Sequence, residues 1–380
     1  MSLLKHLLVF ILATSFATSY AQTTAEKKNA AVKSFNEAVK KIKAKDYKGA
    51  IPLYTKAIAL KPDYKKAYYN RGMAEMKLKA YKEAIADFKK STELDPKYAK
   101  AFMYLGYCQM LMKDYSNAIT NLTKAIEIKP DYYKAYINRG TAYLKSKDYD
   151  NAVKDFTKII DAKGKNIVKA YFNRGVAYQN MKKLDEAIAD FDEVIKVKPE
   201  YGKVVLYRGK AHIGKKNYDK AIADFNTEIA SNPKSTDAYY YLGFANLVKK
   251  DYPSAISALT KGLEVKPESK KLLGKRATAY FSNKDYKNAI LDYDKIIAQK
   301  PKGKLYLNRG ISKYLVKDYP NAIKDLEEAI KLKSKAGKAY YYIALAYNKQ
   351  KKSSDACKNA KEAKKLGYKR ADNLIKNVCK

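Results

Sequence analysis

Small and apolar residues in this chain keep a register that returns about every 34 positions. A small residue opens the series at Ala38 and recurs at Gly72, Gly106, Gly140, Gly175, Gly209, Gly243, Ala277, Gly310 and Ala344. The steps are 34, 34, 34, 35, 34, 34, 34, 33 and 34 residues. Twelve residues after each anchor stands an alanine, from Ala50 and Ala84 through Ala322 and Ala356. Four residues further on stands a large apolar side chain: Tyr54, Phe88, Leu122, Phe156, Phe191, Phe225, Leu259, Tyr293 or Leu326. A four-residue offset places two side chains on one face of a helix. The pattern therefore predicts ten units, each of two helices, A and B. The anchor is position 8 of helix A, the alanine is position 20 and the large residue is position 24 of helix B.

Punctuation between the helices supports this reading. "KDY" recurs at Lys45–Tyr47, Lys113–Tyr115, Lys147–Tyr149, Lys250–Tyr252, Lys284–Tyr286 and Lys317–Tyr319. Its Asp can cap helix B. Pro62, Pro96, Pro130, Pro199, Pro233, Pro267 and Pro301 lie at position 32, where proline stops helix B. Repeat 4 has Gly164 there and one extra residue, in "DAKGKN". The tail "LGYKRADNLIKNVCK" reads as a turn at Gly367 and a last amphipathic helix.

With small residues at positions 8 and 20, an aromatic or Leu at 24 and Pro at 32, the chain resembles the tetratricopeptide repeat family. The likeness covers about residues 30–365. It implies an all-α, right-handed α-solenoid, a superhelix of tandem helix–turn–helix repeats with a C-terminal capping helix. It also implies a non-catalytic, protein-binding role. The expected organisation is a signal peptide at 1–21, a short linker at 22–30, ten repeats at 31–366 and a capping helix at 367–380.

Polar residues inside the register carry further information. Position 7 is arginine in six repeats: Arg71, Arg139, Arg174, Arg208, Arg276 and Arg309. Position 23 is aspartate in the same six: Asp87, Asp155, Asp190, Asp224, Asp292 and Asp325. Positions 3 and 10, beside the arginine, are mostly alanine, so the guanidinium must sit in a close-packed stripe. A desolvated charge needs a partner, and an Arg–carboxylate fork is the strong one. Six structural bridges are expected.

Positions 2, 6, 9 and 13 share another face of helix A, which lines the concave groove in the family resembled. Position 2 is Lys66, Lys100, Lys134, Lys169, Lys203, Lys271, Lys304 and Lys338, with Asp237 in repeat 7. Position 6 is Asn36, Asn70, Asn138, Asn173 and Asn308, alternating with Tyr104, Tyr207, Tyr241 and Tyr342; repeat 8 has Lys275. Asn can bond a peptide backbone from both ends of its amide, Tyr offers a flat apolar face with a polar tip, and lysines steer acidic ligands. These residues are the candidate ligand site. The family's carboxylate clamp is not reproduced: Phe35, Val39 and Tyr104 occupy three of its five positions, and only Asn70 and Lys100 match.

Composition adds a charge argument. Lys and Arg number 78 against 39 Asp and Glu, a formal net charge of +39. That favours acidic partners or anionic surfaces. The expected partner is a protein or peptide segment of acidic character. The alternative is a polyanion binder, touching acidic polysaccharide, anionic lipid or nucleic acid. Nucleic acid is the weaker expectation, and a third reading is a pure spacer or assembly subunit. Enzymatic chemistry, a metal and a cofactor are not expected: one histidine, His212, follows residue 21, and it stands at position 11 among core tyrosines. At the N-terminus, Lys5 and His6 precede the apolar run Leu7–Ala13, and Ser19 and Ala21 suit a signal peptidase. Export to a periplasm, cell envelope or exterior is therefore expected, with no membrane span. Export permits a bridge between Cys357 and Cys379, with Cys108 as a small buried residue. Nothing in the sequence sets the oligomeric state.

Overall fold

The computed structural model describes residues 24–163 and 166–379. The expected signal peptide and the Gly164 of repeat 4 lie outside the described residues. Those described form 21 helices and no strand. They fall into two compact units, divided after Val197.

In the first unit the repeats pair α1 (24–43) with α2 (Tyr47–Leu60), α3 (Lys65–Lys77) with α4 (Tyr81–Leu94), and α5 (Ala99–Leu111) with α6 (Tyr115–Ile128). Then α7 (Tyr133–Lys145) pairs with α8 (Tyr149–Asp161), and α9 (Ile167–Asn180) with α10 (Leu184–Val197). The second unit continues with α11 (Val204–Gly214) and α12 (Tyr218–Ser231), α13 (Thr236–Val248) and α14 (Tyr252–Val265), and α15 (Lys270–Ser282) and α16 (Tyr286–Gln299). It ends with α17 (Gly303–Leu315) and α18 (Tyr319–Lys331), α19 (Ala336–Lys349) and α20 (Ser353–Lys365), then α21 (Ala371–Val378). Within each unit, consecutive helices pack in antiparallel succession. Helix A of one repeat also touches helix A of the next, as in α5 with α7 and α13 with α15. The A helices thus form the crowded, inner row of each unit.

Position 8 shows why the repeat needs a small residue. A Cβ added to Gly140 would lie 2.7 Å from the Phe156 ring and 3.1 Å from Asp155 Cβ. The backbone of helix A therefore rests on the position-24 side chain of helix B. Every one of those nine large residues is at most 3% exposed, and each position-20 alanine is fully buried. Each such large side chain contributes roughly 1.5–3 kcal/mol of apolar burial.

The inter-helix turn is built from two caps in series. In all ten repeats the residue at position 15 is a lysine with left-handed φ, between 60° and 68°. In repeat 4, Lys147 N–H donates to Leu144 O and Asp148 N–H to Tyr143 O, the six-to-one bond of a Schellman turn. The same Asp148 then opens α8, accepting from Asn151 N–H at 3.3 Å. Asp46, Asp114, Asp251, Asp285 and Asp318 cap their B helices likewise. "KDY" is therefore the C-terminal stop of helix A and the N-cap of helix B in consecutive residues.

The N-terminal boundary requires a correction. Residues 24–30, expected as part of a linker, are helical and extend α1. "TAEKKNA" contains no proline or glycine and is rich in good helix formers. At the other end, Gly367 takes the left-handed turn (φ 72°), and the last helix begins only at Ala371.

Candidate functional site

All six Arg–Asp bridges form within their own repeats. In repeat 2, Arg71 donates to Asp87 through Nε at 2.7 Å and Nη2 at 2.8 Å. Arg139 and Asp155 repeat this fork at 2.9 and 2.7 Å, and so do the other four pairs. The aspartate side chains are 2–7% exposed and the arginines 15–26%. In repeats 4 and 5, tyrosines at positions 4 and 11 flank the guanidinium: Arg139 lies 5.5 Å from the Tyr136 ring and 5.9 Å from that of Tyr143, and Arg174 lies 5.6 Å from the Tyr171 ring and 5.7 Å from that of Tyr178. Hydrogen bonding to Asp87 leads the effects that raise the Arg71 pKa. Burial raises those of Asp155 and Asp190 against the pull of their arginines. Desolvation thus offsets much of the attraction, as expected for buried pairs.

A further acceptor had escaped the reading of the sequence. Arg71 Nη1 donates to Thr55 on the preceding helix B at 2.8 Å. Arg139 reaches Thr123, Arg174 reaches Thr157, Arg276 reaches Thr260, and Arg309 reaches Asp294 at 2.6 Å. Each of these five arginines therefore ties its own repeat to the previous one. The signal was present: position 25 is Thr or Asp before every arginine-bearing repeat, and Lys89, Asn226 or Glu327 before the others.

The inner face of the A helices holds the candidate ligand site, and each unit has its own version. In the first unit Asn36, Lys66, Lys100, Lys134 and Lys169 are exposed, while Asn70, Tyr104 and Asn173 are half-buried. Lys134 leans back from α7 onto α5, donating to the Tyr104 hydroxyl at 2.9 Å with its ammonium 4.7 Å from the ring centre. Tyr104 in turn stacks on Phe88. Asn138 corrects the expectation. It is 5% exposed, and its amide points at Met103 Sδ, 3.5 Å away. Helix α7 packs on α5 there, so position 6 is covered and cannot meet a ligand.

The second unit is more aromatic and more cationic. Lys203 and Lys304 are exposed; Tyr207, Tyr241, Asn308 and Tyr342 are half-buried. Asn308 is engaged with the Tyr293 hydroxyl. Lys210, Tyr240 and Phe244, not singled out from the sequence, join them and the expected Lys271 and Lys275. Lys210 lies 4.7 Å from the Tyr207 ring and 5.4 Å from that of Tyr241. Lys271 sits 4.0 Å over Tyr240, and Lys275 sits 4.6 Å over Phe244. Lys210 and Phe244 occupy position 9, on the predicted face, so the register could have found them; Tyr240, at position 5, lies outside it. Asp237 is the lone acid at position 2, paired with Lys271 at 3.3 Å. Burial lowers the pKa values of Lys210, Lys275 and Lys338, with neighbouring cations adding to it.

Other chemistry is sparse. Among the described residues no group of His, Cys, Asp and Glu could hold a metal. No described helix is long and apolar enough to cross a membrane. Cys357 and Cys379 form a disulfide that ties α20 to the segment ending α21. Cys108 is a buried free thiol, its pKa pushed up to about 12 by burial.

Family models described as "Tetratricopeptide repeat" match residues 66–98, 99–132, 133–166, 168–201, 206–263 and 247–304. The chain belongs to the tetratricopeptide repeat family. A solved structure agrees on the fold. The C-terminal part of a tetratricopeptide-repeat protein from Cytophaga hutchinsonii is 23% identical, with a TM-score of 0.56 over 63% of this chain and 99% of that one. A tetratricopeptide-repeat protein from Parabacteroides merdae is 18% identical, with a TM-score of 0.47 over 65% and 99%. MamA is 28% identical, with a TM-score of 0.41 over 42% and 92%. No curated protein matches the sequence. Membership makes this all-α solenoid a protein–protein interaction scaffold of a generally non-catalytic family.

Proposed function

We propose that the scaffold binds an extended, acidic peptide segment along the inner face of its A helices. The observation that carries this reading is the second unit's cluster of lysines on aromatic rings, Lys210 and Lys275 half-buried and Lys271 exposed beside them. Lys210 and Lys275 have further lysines nearby, and Asp237 is the acid beside Lys210 and Lys271. Partly desolvated cations facing an open surface favour an anionic occupant. The tyrosine and phenylalanine faces beside them suit apolar or aromatic side chains of the same segment. The first unit's own inner face carries Asn70 and Asn173, able to bond a peptide backbone.

The test is binding of a fluorescent acidic peptide with interspersed aromatic residues. Lys210→Gln/Lys271→Gln should weaken it at least tenfold, with unchanged melting. Equal affinity in the variant would overturn the assignment. The net charge of +39 favours a second reading, a polyanion binder. That reading requires affinity to fall steeply with log salt, and heparin or polyglutamate to compete without regard to sequence. Peptide recognition requires a shallow salt slope and dependence on the aromatic residues.

We also propose export to the cell envelope. The cleavable-looking first 21 residues support it, and so does a disulfide suited to an oxidising compartment. Fractionation of cells making the full chain tests this: retention in the cytosol with an intact N-terminus would exclude it.

A further inference from the structure

Repeat 7 departs from its neighbours at three linked places. Leu242 stands at position 7 and Ala258 at position 23, where six repeats hold the bridge. Asn246 stands at position 11. Elsewhere, position 11 meets position 23: Lys313 pairs with Asp325 at 2.9 Å, and Gln109 accepts from Asn121 at 2.8 Å. Ala258 offers the Asn246 amide no such partner. That amide instead lines a cavity of about 350 Å³ between α12, α13 and α14. Leu242, Tyr239 and Ala258, all under 10% exposed, make its apolar floor. Asn226 and Lys261 are at its rim, and Lys261 is the one charged residue lining it. The groove positions of α13, Asp237, Tyr241 and Phe244, take no part.

We propose that this cavity is a second ligand site, on the B-helix side of the second unit, for the C-terminal apolar residue of a partner peptide. In the bridged repeats the equivalent space receives an apolar stem ending in a planar charged head, the arginine, which meets a carboxylate. Here the carboxylate is missing and a lysine stands at the rim, so the complementary visitor has the opposite sign. An apolar side chain fills the floor over Leu242 and Ala258. A terminal carboxylate pairs with Lys261. The Asn246 and Asn226 amides bond the last peptide group, each able to donate and accept. The volume falls within the range of roughly 300–1,000 Å³ usual for ligand pockets.

Two peptides, acetyl-Ser-Ala-Phe with a free carboxylate and the same peptide ending in a carboxamide, are titrated into the full chain and followed by NMR. 3-Phenylpropionate serves as the small-acid control. The free acid should bind, the carboxamide at least fivefold more weakly, and 3-phenylpropionate more weakly than the peptide. Leu242→Arg/Ala258→Asp rebuilds the bridge of the other repeats inside the cavity and should lower affinity at least tenfold. Should that variant fail to fold, Lys261→Gln, at an exposed position, should weaken the acid to the level of the carboxamide. Lys210→Gln/Lys271→Gln, in the groove, should leave this binding unchanged, so the two sites fail or stand separately. No binding of the free acid would overturn the proposal. Full affinity in Lys261→Gln, or phenylpropionate binding as tightly as the peptide, would do the same.

Discussion

At the scale of single residues, the Arg–Asp fork is a register device before it is a source of stability. The aspartates are nearly dry, and burial outweighs the arginine's pull on Asp155 and Asp190. Repeat 7 shows that the fold tolerates an apolar substitute, since Leu242 and Ala258 occupy the same positions in an intact helix pair. Asp155→Ala should therefore cost about 3 kcal/mol by stranding Arg139, while Arg139→Leu/Asp155→Ala should stay within about 1 kcal/mol of the wild type. Denaturant unfolding of the two variants decides it; equal losses would show that the pair itself stabilises. Glu75 offers a second test. It stands at position 11 beside Asp87, with Oε2 lacking a hydrogen-bond partner among the described residues. Burial first, then Asp87, raises its pKa to about 7 from 4.5. A raised carboxyl contributes stability fully below about pH 4.5 and loses it as pH rises through 7. Glu75→Gln should remove that decline and stabilise the protein by about 1–3 kcal/mol at pH 8, with little gain at pH 4. A constant difference between the two proteins across this range would refute the assignment.

At the scale of the helix pair, the turn is the most regular element of the chain, and its left-handed residue is always lysine. A non-glycine residue in this conformation is costly, and glycine is the usual occupant. Gly367 shows the alternative within the same molecule, with Gly367 N–H donating to Lys364 O and Tyr368 N–H to Ala363 O. Nothing in the structure explains the preference for lysine. Lys147→Gly should therefore raise stability by up to about 1 kcal/mol, read as a higher melting temperature without loss of helicity. A lower melting temperature would mean that the lysine stem packs usefully against the turn. The helix pair was legible in the sequence because its signals are local: small residues at fixed offsets, an aspartate cap and a stopping proline. The capping role of "KDY" was legible for the same reason, although the left-handed lysine in it was not read. Asn138 was misplaced because helical spacing defines a face but not what covers it. The covering residue, Met103, comes from the preceding repeat. The threonine acceptors of the arginines were missed because they too lie across a repeat boundary, where only covariation among the repeats could reveal them.

At the scale of the whole molecule, stability is a sum of repeat and neighbour terms, so each end matters more than its size suggests. In the last repeat, α19 and α20, Ala344, Ala356 and Ala360 share one buried apolar cluster with Leu374 and Val378 of α21. Helix α21 has eight residues, too short to hold helical structure by itself in water. It is retained by that apolar contact and by the Cys357–Cys379 bridge, which spans 22 residues and restricts the unfolded segment. Chain-entropy arithmetic puts such a crosslink at roughly 3 kcal/mol. Cys357→Ser/Cys379→Ser should lower the stability of α19–α21 by about that amount. Because repeats couple only to neighbours, the loss should not spread to the first unit. Amide exchange read peptide by peptide separates the cases. Faster exchange confined to α19–α21 is the expected result, with α3–α8 unchanged. Uniform acceleration along the chain would show that the two units unfold as one cooperative body, and no change at all would show that the apolar contact alone holds the last helix.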